Sequence, residues 1–127
     1  MNNVAIGLLI LRIFIGARIL YGVIDNVINW DKMNEFAQFL SQYKFPFPIV
    51  SAITSVAIQL FCGFLILIGW QTKWSSLLLF LNFLIAIIMV HFPNNDSIEV
   101  MTPALAMLFI SAALMFTGAG KYSVDKY

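Results

Sequence analysis

The sequence predicts an all-α integral membrane protein: a four-transmembrane-helix bundle with an amphipathic interfacial helix between helices one and two. Three observations carry that reading. Four apolar stretches, at about residues 4–24, 49–69, 74–92 and 98–117, each approach the ~20 residues that a helix needs to cross ~30 Å of hydrocarbon. Hydrophobic residues make up 61% of the chain and charged residues only 10%, well below the ~25% charged that covers a soluble surface. The connections between the stretches are too short for a separate soluble domain, so residues 1–127 read as one membrane domain.

The first stretch has no small-residue cleavage site before Tyr21 and is read as a retained helix rather than a secretory signal. Between it and the second, residues 31–44 bring Asp31, Lys32, Glu35, Gln38, Gln42 and Lys44 together with Met33, Phe36, Ala37, Leu40 and Tyr43 at helical spacing. That pattern predicts an amphipathic helix on the membrane surface, with Asp31 as its N-cap and Trp30 and Tyr43 in the headgroup layer. Phe45-Pro46-Phe47-Pro48 ends it, because proline supplies no N–H, and the second span starts near Pro48.

Gly69-Trp70-Gln71-Thr72-Lys73-Trp74 is a tight connection with two interfacial tryptophans, so spans two and three form an antiparallel hairpin. The third span runs to His91 and Phe92. Residues 93–97 form the next turn, where Asp96 and Glu99 are spaced like an acidic capping box. The fourth span either begins there or restarts at Pro103 behind Thr102, which would leave only about 15 helical residues, or ~22 Å. Lys73, Lys121 and Lys126 lie on the side of the termini and Lys32 and Lys44 on the other, which by the positive-inside rule places both termini in the cytoplasm.

Net charge is +1 and the basic residues are dispersed, so nothing points to nucleic acid; the lipid bilayer is the partner implied. Cys62, the sole cysteine, excludes a disulfide within one chain and reads as a buried small apolar residue in mid-helix. One histidine and one cysteine on different spans give no closed zinc site and no bis-histidine haem, so no metal is expected. Phosphate-binding glycine loops, nucleophile elbows and paired carboxylates are also missing.

The residues able to carry chemistry are few. Arg12 and Arg18 lie well inside the first span, where an ionised side chain costs about 2.5–3.5 kcal/mol or more unless it meets protein or water. Arg18, Tyr21, Gly22 and Asp25 share one helix face, letting Arg18 and Asp25 approach directly or through a water, whereas Arg12 points about 120° away. Ser51, Ser55, Gln59, Cys62 and Gly63 form a small and polar stripe suited to close helix packing. Arg12, Gln59 and Asn82 fall at similar depth, which predicts a hydrogen-bonded intramembrane layer with a structural role. Asp25, His91, Asp96 and Glu99 gather at the mouth opposite the termini. His91 is there either a proton carrier partnered by Asp25 or Glu99, or a helix-end histidine bonded to water or backbone.

The opening Leu11-Arg12-Ile13-Phe14-Ile15-Gly16, Gly22, the Phe36 to Pro48 segment, the Gln59 to Gly69 helix, His91, Glu99 and the ending Gly118-Ala119-Gly120-Lys121-Tyr122-Ser123-Val124-Asp125 together resemble the DoxX family of small four-helix bacterial membrane proteins. Gly-x-Gly, a basic residue, x, Ser, x, Asp is the most specific piece. Two departures stand out. Many relatives carry a lysine where this chain has Asp25 and Asn26, and a glutamate in the second span where it has Gln59, which removes any proton-carrying role for that position. The resemblance implies residence in the bacterial cytoplasmic membrane and links to membrane redox systems, including thiosulfate:quinone oxidoreductase, quinol oxidase and oxidative-stress complexes.

The leading expectation is therefore an accessory subunit, more a support than an enzyme by itself. It would contribute a quinone-sized cavity near Arg18, Tyr21, Asp25, His91 and Glu99 and serve a membrane or peripheral oxidoreductase, with no covalently bound cofactor of its own. Two alternatives are a small-molecule transporter or permeation element, working as a homo-oligomer, and a stand-alone enzyme acting on a hydrophobic quinone or aromatic compound with His91 as acid or base.

Overall fold

A computed structural model describes residues 3–126. Its elements are α1 (Asn3–Ile28), α2 (Trp30–Ser41), α3 (Pro48–Ile68), α4 (Thr72–Ala86), which continues as a π-helical turn (Ile87–His91), and α5 (Ile98–Thr117). Among the described residues there is no strand. Four helical runs, α1, α3, α4 with its π turn, and α5, are long and apolar enough to cross a membrane, and the chain is a multi-pass membrane protein.

Connections are short, so sequential spans are antiparallel neighbours. The α1 helix packs mainly on α3, α3 on α4 and α4 on α5, while α2 lies against α3 and the end of α1. At the α1–α3 crossing, Gly16 backs onto Gly63: a Cβ on Gly16 would stand 2.9 Å from the Gly63 carbonyl and 2.9 Å from Leu67 Cβ. Two glycines thus let the backbones approach, as small residues do between membrane helices. A central core of Ile15, Ile19, Cys62, Ile66, Leu79, Met107 and Leu114 joins all four spans. Phe61, Phe64, Phe109 and Phe116 point outward, which in a bilayer is toward lipid.

Several boundaries differ from those read off the sequence. The first helix runs on to Ile28, and Asn29 rather than Asp31 caps α2: its backbone is extended and its Oδ1 accepts from Asp31 N at 3.0 Å. The α2 helix buries Met33, Ala37 and Leu40 against Val23, Ala52 and Val56. It ends at Ser41, before the Phe-Pro-Phe-Pro run. Ser97, not the Asp96/Glu99 pair, caps α5, with its hydroxyl accepting from Val100 N at 3.3 Å. Of the two starts expected for the fourth span the structure has the first. The helix passes unbroken through Pro103, close enough to the N-terminus that only one early hydrogen bond is lost.

Candidate functional site

Two hydrogen-bonded groups of polar side chains lie inside this bundle, at different depths. At the end where the C-terminal tail lies, Arg12 is buried and fully engaged. Its Nε donates to Ile66 O at 3.0 Å, Nη2 to Leu67 O at 3.0 Å, and Nη1 to Ala119 O at 3.3 Å and Tyr122 O at 2.9 Å. The acceptors are C-terminal carbonyls of α3, of which Ile66 O also accepts from the capping Gly69 N at 3.1 Å, and carbonyls of the tail. The tail closes the arrangement. Asp125 accepts from Gln71 N at 2.9 Å and Thr72 N at 3.0 Å, capping α4, and Val124 N and Asp125 N donate to Ile68 O and Gly69 O. Gly69, at φ +77°, is required here, since a Cβ would stand 2.3 Å from Ser123 Cβ and 2.7 Å from Arg12 Nη2.

Arg12 therefore does not join Gln59 and Asn82, because it bonds to carbonyls at the C-terminal end of α3, about 10 Å of helix rise from Gln59 near the middle of that helix. The other two do meet. Ser55 Oγ donates to Asn82 Oδ1 at 2.7 Å and Gln59 Nε2 donates to Ser55 Oγ at 3.1 Å, making a row across α3 and α4. This row lies on the wall of a cavity of about 670 Å³ between α2, α3 and α4. Phe36, Phe39, Phe45, Ile58, Phe83 and Met89 supply apolar wall, while Ser51, Thr54 and His91 add polar groups. Its volume falls in the range of small-molecule sites, ~300–1,000 Å³. Within the row Gln59 Oε1 and the Asn82 Nδ2 group make no hydrogen bond to the described protein, so an acceptor and a donor remain for a guest.

A second cavity, of about 500 Å³, opens between α1, α2 and α3 and is lined by Gly22, Asp25, Asn26, Lys32, Glu35 and Gln59, among others. Phe36, Phe39 and Gln59 line both. The two spaces are thus a charged vestibule and an apolar chamber that share a wall.

The five residues expected to surround one cavity are dispersed. Asp25 lines the vestibule and His91 the chamber, whereas Arg18, Tyr21 and Glu99 line neither. His91 is partnered by neither Asp25 nor Glu99: its Nδ1 lies 2.7 Å from Asp96 Oδ2, and Asn94 Nδ2 donates to the other Asp96 oxygen. Arg18 and Asp25 form no ion pair, and among the described residues Lys32–Glu35 is the ion pair between permanently charged side chains, while His91 and Asp96 share a hydrogen bond. Arg18 and Asp25 are both exposed, Asp25 at the vestibule and Arg18 outside it, where its guanidinium lies 5.7 Å from the Tyr21 ring centroid. No group of three His, Cys, Asp or Glu side chains comes together among the described residues.

Two functional features escaped the sequence reading. The tail clamp brings together residues more than 50 positions apart; its signals were an arginine inside the first span and an aspartate closing a glycine-containing ending. The chamber also needed the position of α2, which no pattern within α3 or α4 discloses.

The DoxX family model matches residues 7–92, about two thirds of the chain. This protein belongs to the DoxX family. The matched region contains most of α1 and all of α2 to α4, and hence both cavity walls and Arg12, whereas α5 and the tail residues of the clamp lie beyond it. Comparison with curated proteins found no match, and comparison with solved structures found none.

Proposed function

We propose that this DoxX protein binds a hydrophobic molecule with a hydrogen-bonding ring, of the size and chemistry of a quinone, in the chamber between α2, α3 and α4, and acts as an accessory subunit of a membrane redox system. The observation that carries the reading is the Ser55–Gln59–Asn82 row on an otherwise largely apolar wall. The free Asn82 Nδ2 suits a ring carbonyl, and the free Gln59 Oε1 suits the hydroxyl that replaces it on reduction. Apolar wall accommodates the rest of the ring and the start of a chain. With Gln59 in place of a carboxylate, the row orients a ligand and carries no proton of its own. Electron transfer then belongs to a partner oxidoreductase.

Arg12 lines no pathway, since its guanidinium is held by four carbonyls, and this weighs against a permeation route through the tail end. The test is equilibrium binding of a short-chain quinone analogue to the purified protein in lipid nanodiscs. Binding that falls about tenfold, the equivalent of ~1.4 kcal/mol, in Asn82→Leu and in Gln59→Leu supports the proposal. An affinity unchanged in both variants, or no binding to the native chain, removes it.

A further inference from the structure

The outer face of α1 carries Phe14, Arg18, Tyr21 and Ile28, with Asp25 at its edge where the vestibule opens; the five are spaced alternately four and three residues apart in the pattern of a helix–helix seam, and all are exposed. Tyr21 is 77% exposed. The depth of this stripe follows from the α1–α3 packing. Gly16 and Ile19 both meet Gly63, and Val23 clusters with Val56, so residues 21 and 22 stand level with about residue 58. That position is the middle of α3 (Pro48–Ile68), about 15 Å of helix rise from either end. The Arg18 guanidinium also bends toward this centre: Nη1 lies 3.1 Å from where a Cβ on Gly22 would be, and the Tyr21 ring is beside it. A snorkelling arginine here would turn toward the nearer surface, at the N-terminal end of α1.

An arginine aimed at mid-bilayer from a lipid-facing surface needs a carboxylate there, and no lipid headgroup reaches that depth. We propose that the partner is a second copy of this chain in the opposite orientation, forming an antiparallel two-fold dimer whose α1 helices cross with the axis between residues 21 and 22. Arg18 then faces Asp25 of the partner subunit, and the reciprocal pair forms by symmetry. Tyr21 then lies across from Gly22 of the partner subunit, beside the guanidinium that packs over that glycine. A parallel two-fold dimer through the same stripe sets Arg18 against Arg18 and Asp25 against Asp25 of the partner subunit, placing like charges together in hydrocarbon. The axis falls at mid-span, as an antiparallel pair in one bilayer requires. The lysines permit it: Lys73, Lys121 and Lys126 at one end against Lys32 and Lys44 at the other favour cytoplasmic termini by a margin of a single charge, and insertion both ways replaces that expectation for half of the molecules.

The test uses the full chain in native membranes, in a Cys62→Ser background. With Gln42→Cys added, a membrane-impermeant maleimide applied to intact cells labels about half of the molecules that it labels after permeabilisation. Labelling of all or of none overturns the proposal. Differently tagged chains bearing Phe14→Cys and Ile28→Cys form a mixed disulfide on oxidation, which only opposed helices permit, since 14 residues of rise separate the two sites by about 21 Å in a parallel pair. A Phe14→Cys chain that cross-links to itself instead overturns it. Arg18→Asp abolishes the mixed product and Arg18→Asp with Asp25→Arg restores it; a product indifferent to both shows that the charges do not hold the dimer.

Discussion

The two ends of the bundle solve the same problem in opposite ways. Around Arg12 a charge buried in the membrane-spanning region is held by four carbonyls, and Asp125 closes the next helix, so the charged groups of the clamp are paired with backbone although the buried Thr72 hydroxyl beside them is not. Around Gln59 the polar row is only half satisfied internally, and it borders a cavity. Buried polar groups that are fully paired rigidify a fold, whereas groups left with spare donors and acceptors can bind a guest. The tail end therefore holds the bundle together, and the α2 end is where ligand chemistry is available.

Mutations at the two ends should separate stability from binding. The largest effect is expected from Arg12→Leu, which removes hydrogen bonds worth ~1.5–3 kcal/mol each from a charged donor and leaves buried carbonyls unpaired. Folded yield in detergent and thermal unfolding should both collapse, and Arg12→Lys should not rescue them, because one ammonium lacks the planar fork that reaches both α3 and the tail. A yield equal to that of the native chain would show that the clamp is dispensable.

Next in size is Gly69→Ala. The added methyl cannot coexist with Ser123 and Arg12 Nη2, and the left-handed backbone adds strain of order 1 kcal/mol. Limited proteolysis should then cut the tail near Lys121 well before the spans. Asp125→Ala frees the Gln71 and Thr72 N–H groups, and loss of such a cap costs about 0.5–2 kcal/mol, readable as a lower unfolding temperature with the same tail cleavage.

Asn82→Leu sharpens the comparison from the other side. Hydrogen bonds between membrane helices average ~0.6 kcal/mol, so its unfolding temperature should barely move while quinone-analogue binding weakens about tenfold. Loss of folding in this variant would instead assign the row to the scaffold. The smallest effect is expected from Asp96→Asn. The His91–Asp96 hydrogen bond sits in a turn and is part-buried, and a single hydrogen bond contributes about 0.5–1.5 kcal/mol net. Unfolding of this variant within a few degrees of the native chain is the outcome to check.

Much of the fold was legible because it follows from local physics. Four runs near 20 apolar residues must become helices in a bilayer, where every backbone group has to be paired within its own segment. The amphipathic spacing of Met33, Ala37 and Leu40 likewise announced α2 with its buried edge. Cap residues were less legible. Asp31 and Asn29 both suit an N-cap, and only the chain path out of α1 selects Asn29; Ser97 in the same way displaces the Asp96/Glu99 pair once Asp96 turns to His91.

The candidate site was legible in its residue types and illegible in its groupings. Gln59 and Asn82 were recognisable as unusual inside membrane helices, and so was Arg12, but depth alone grouped all three. The antiparallel run of α1 along α3 sets Arg12 level with Ile66 and Leu67, far from Asn82. Sequence by itself determined the membrane class, the number of spans, the amphipathic helix and the few polar residues on which any function depends, because hydrophobicity and helical period act within a segment. Tertiary structure alone decided that Arg12 belongs to a tail clamp, that Ser55 links Gln59 to Asn82, that His91 pairs with Asp96 and that α2 closes a chamber. Each of these depends on the lateral order and vertical offset of the helices, and those are set by which small residues, such as Gly16 and Gly63, allow two backbones to touch.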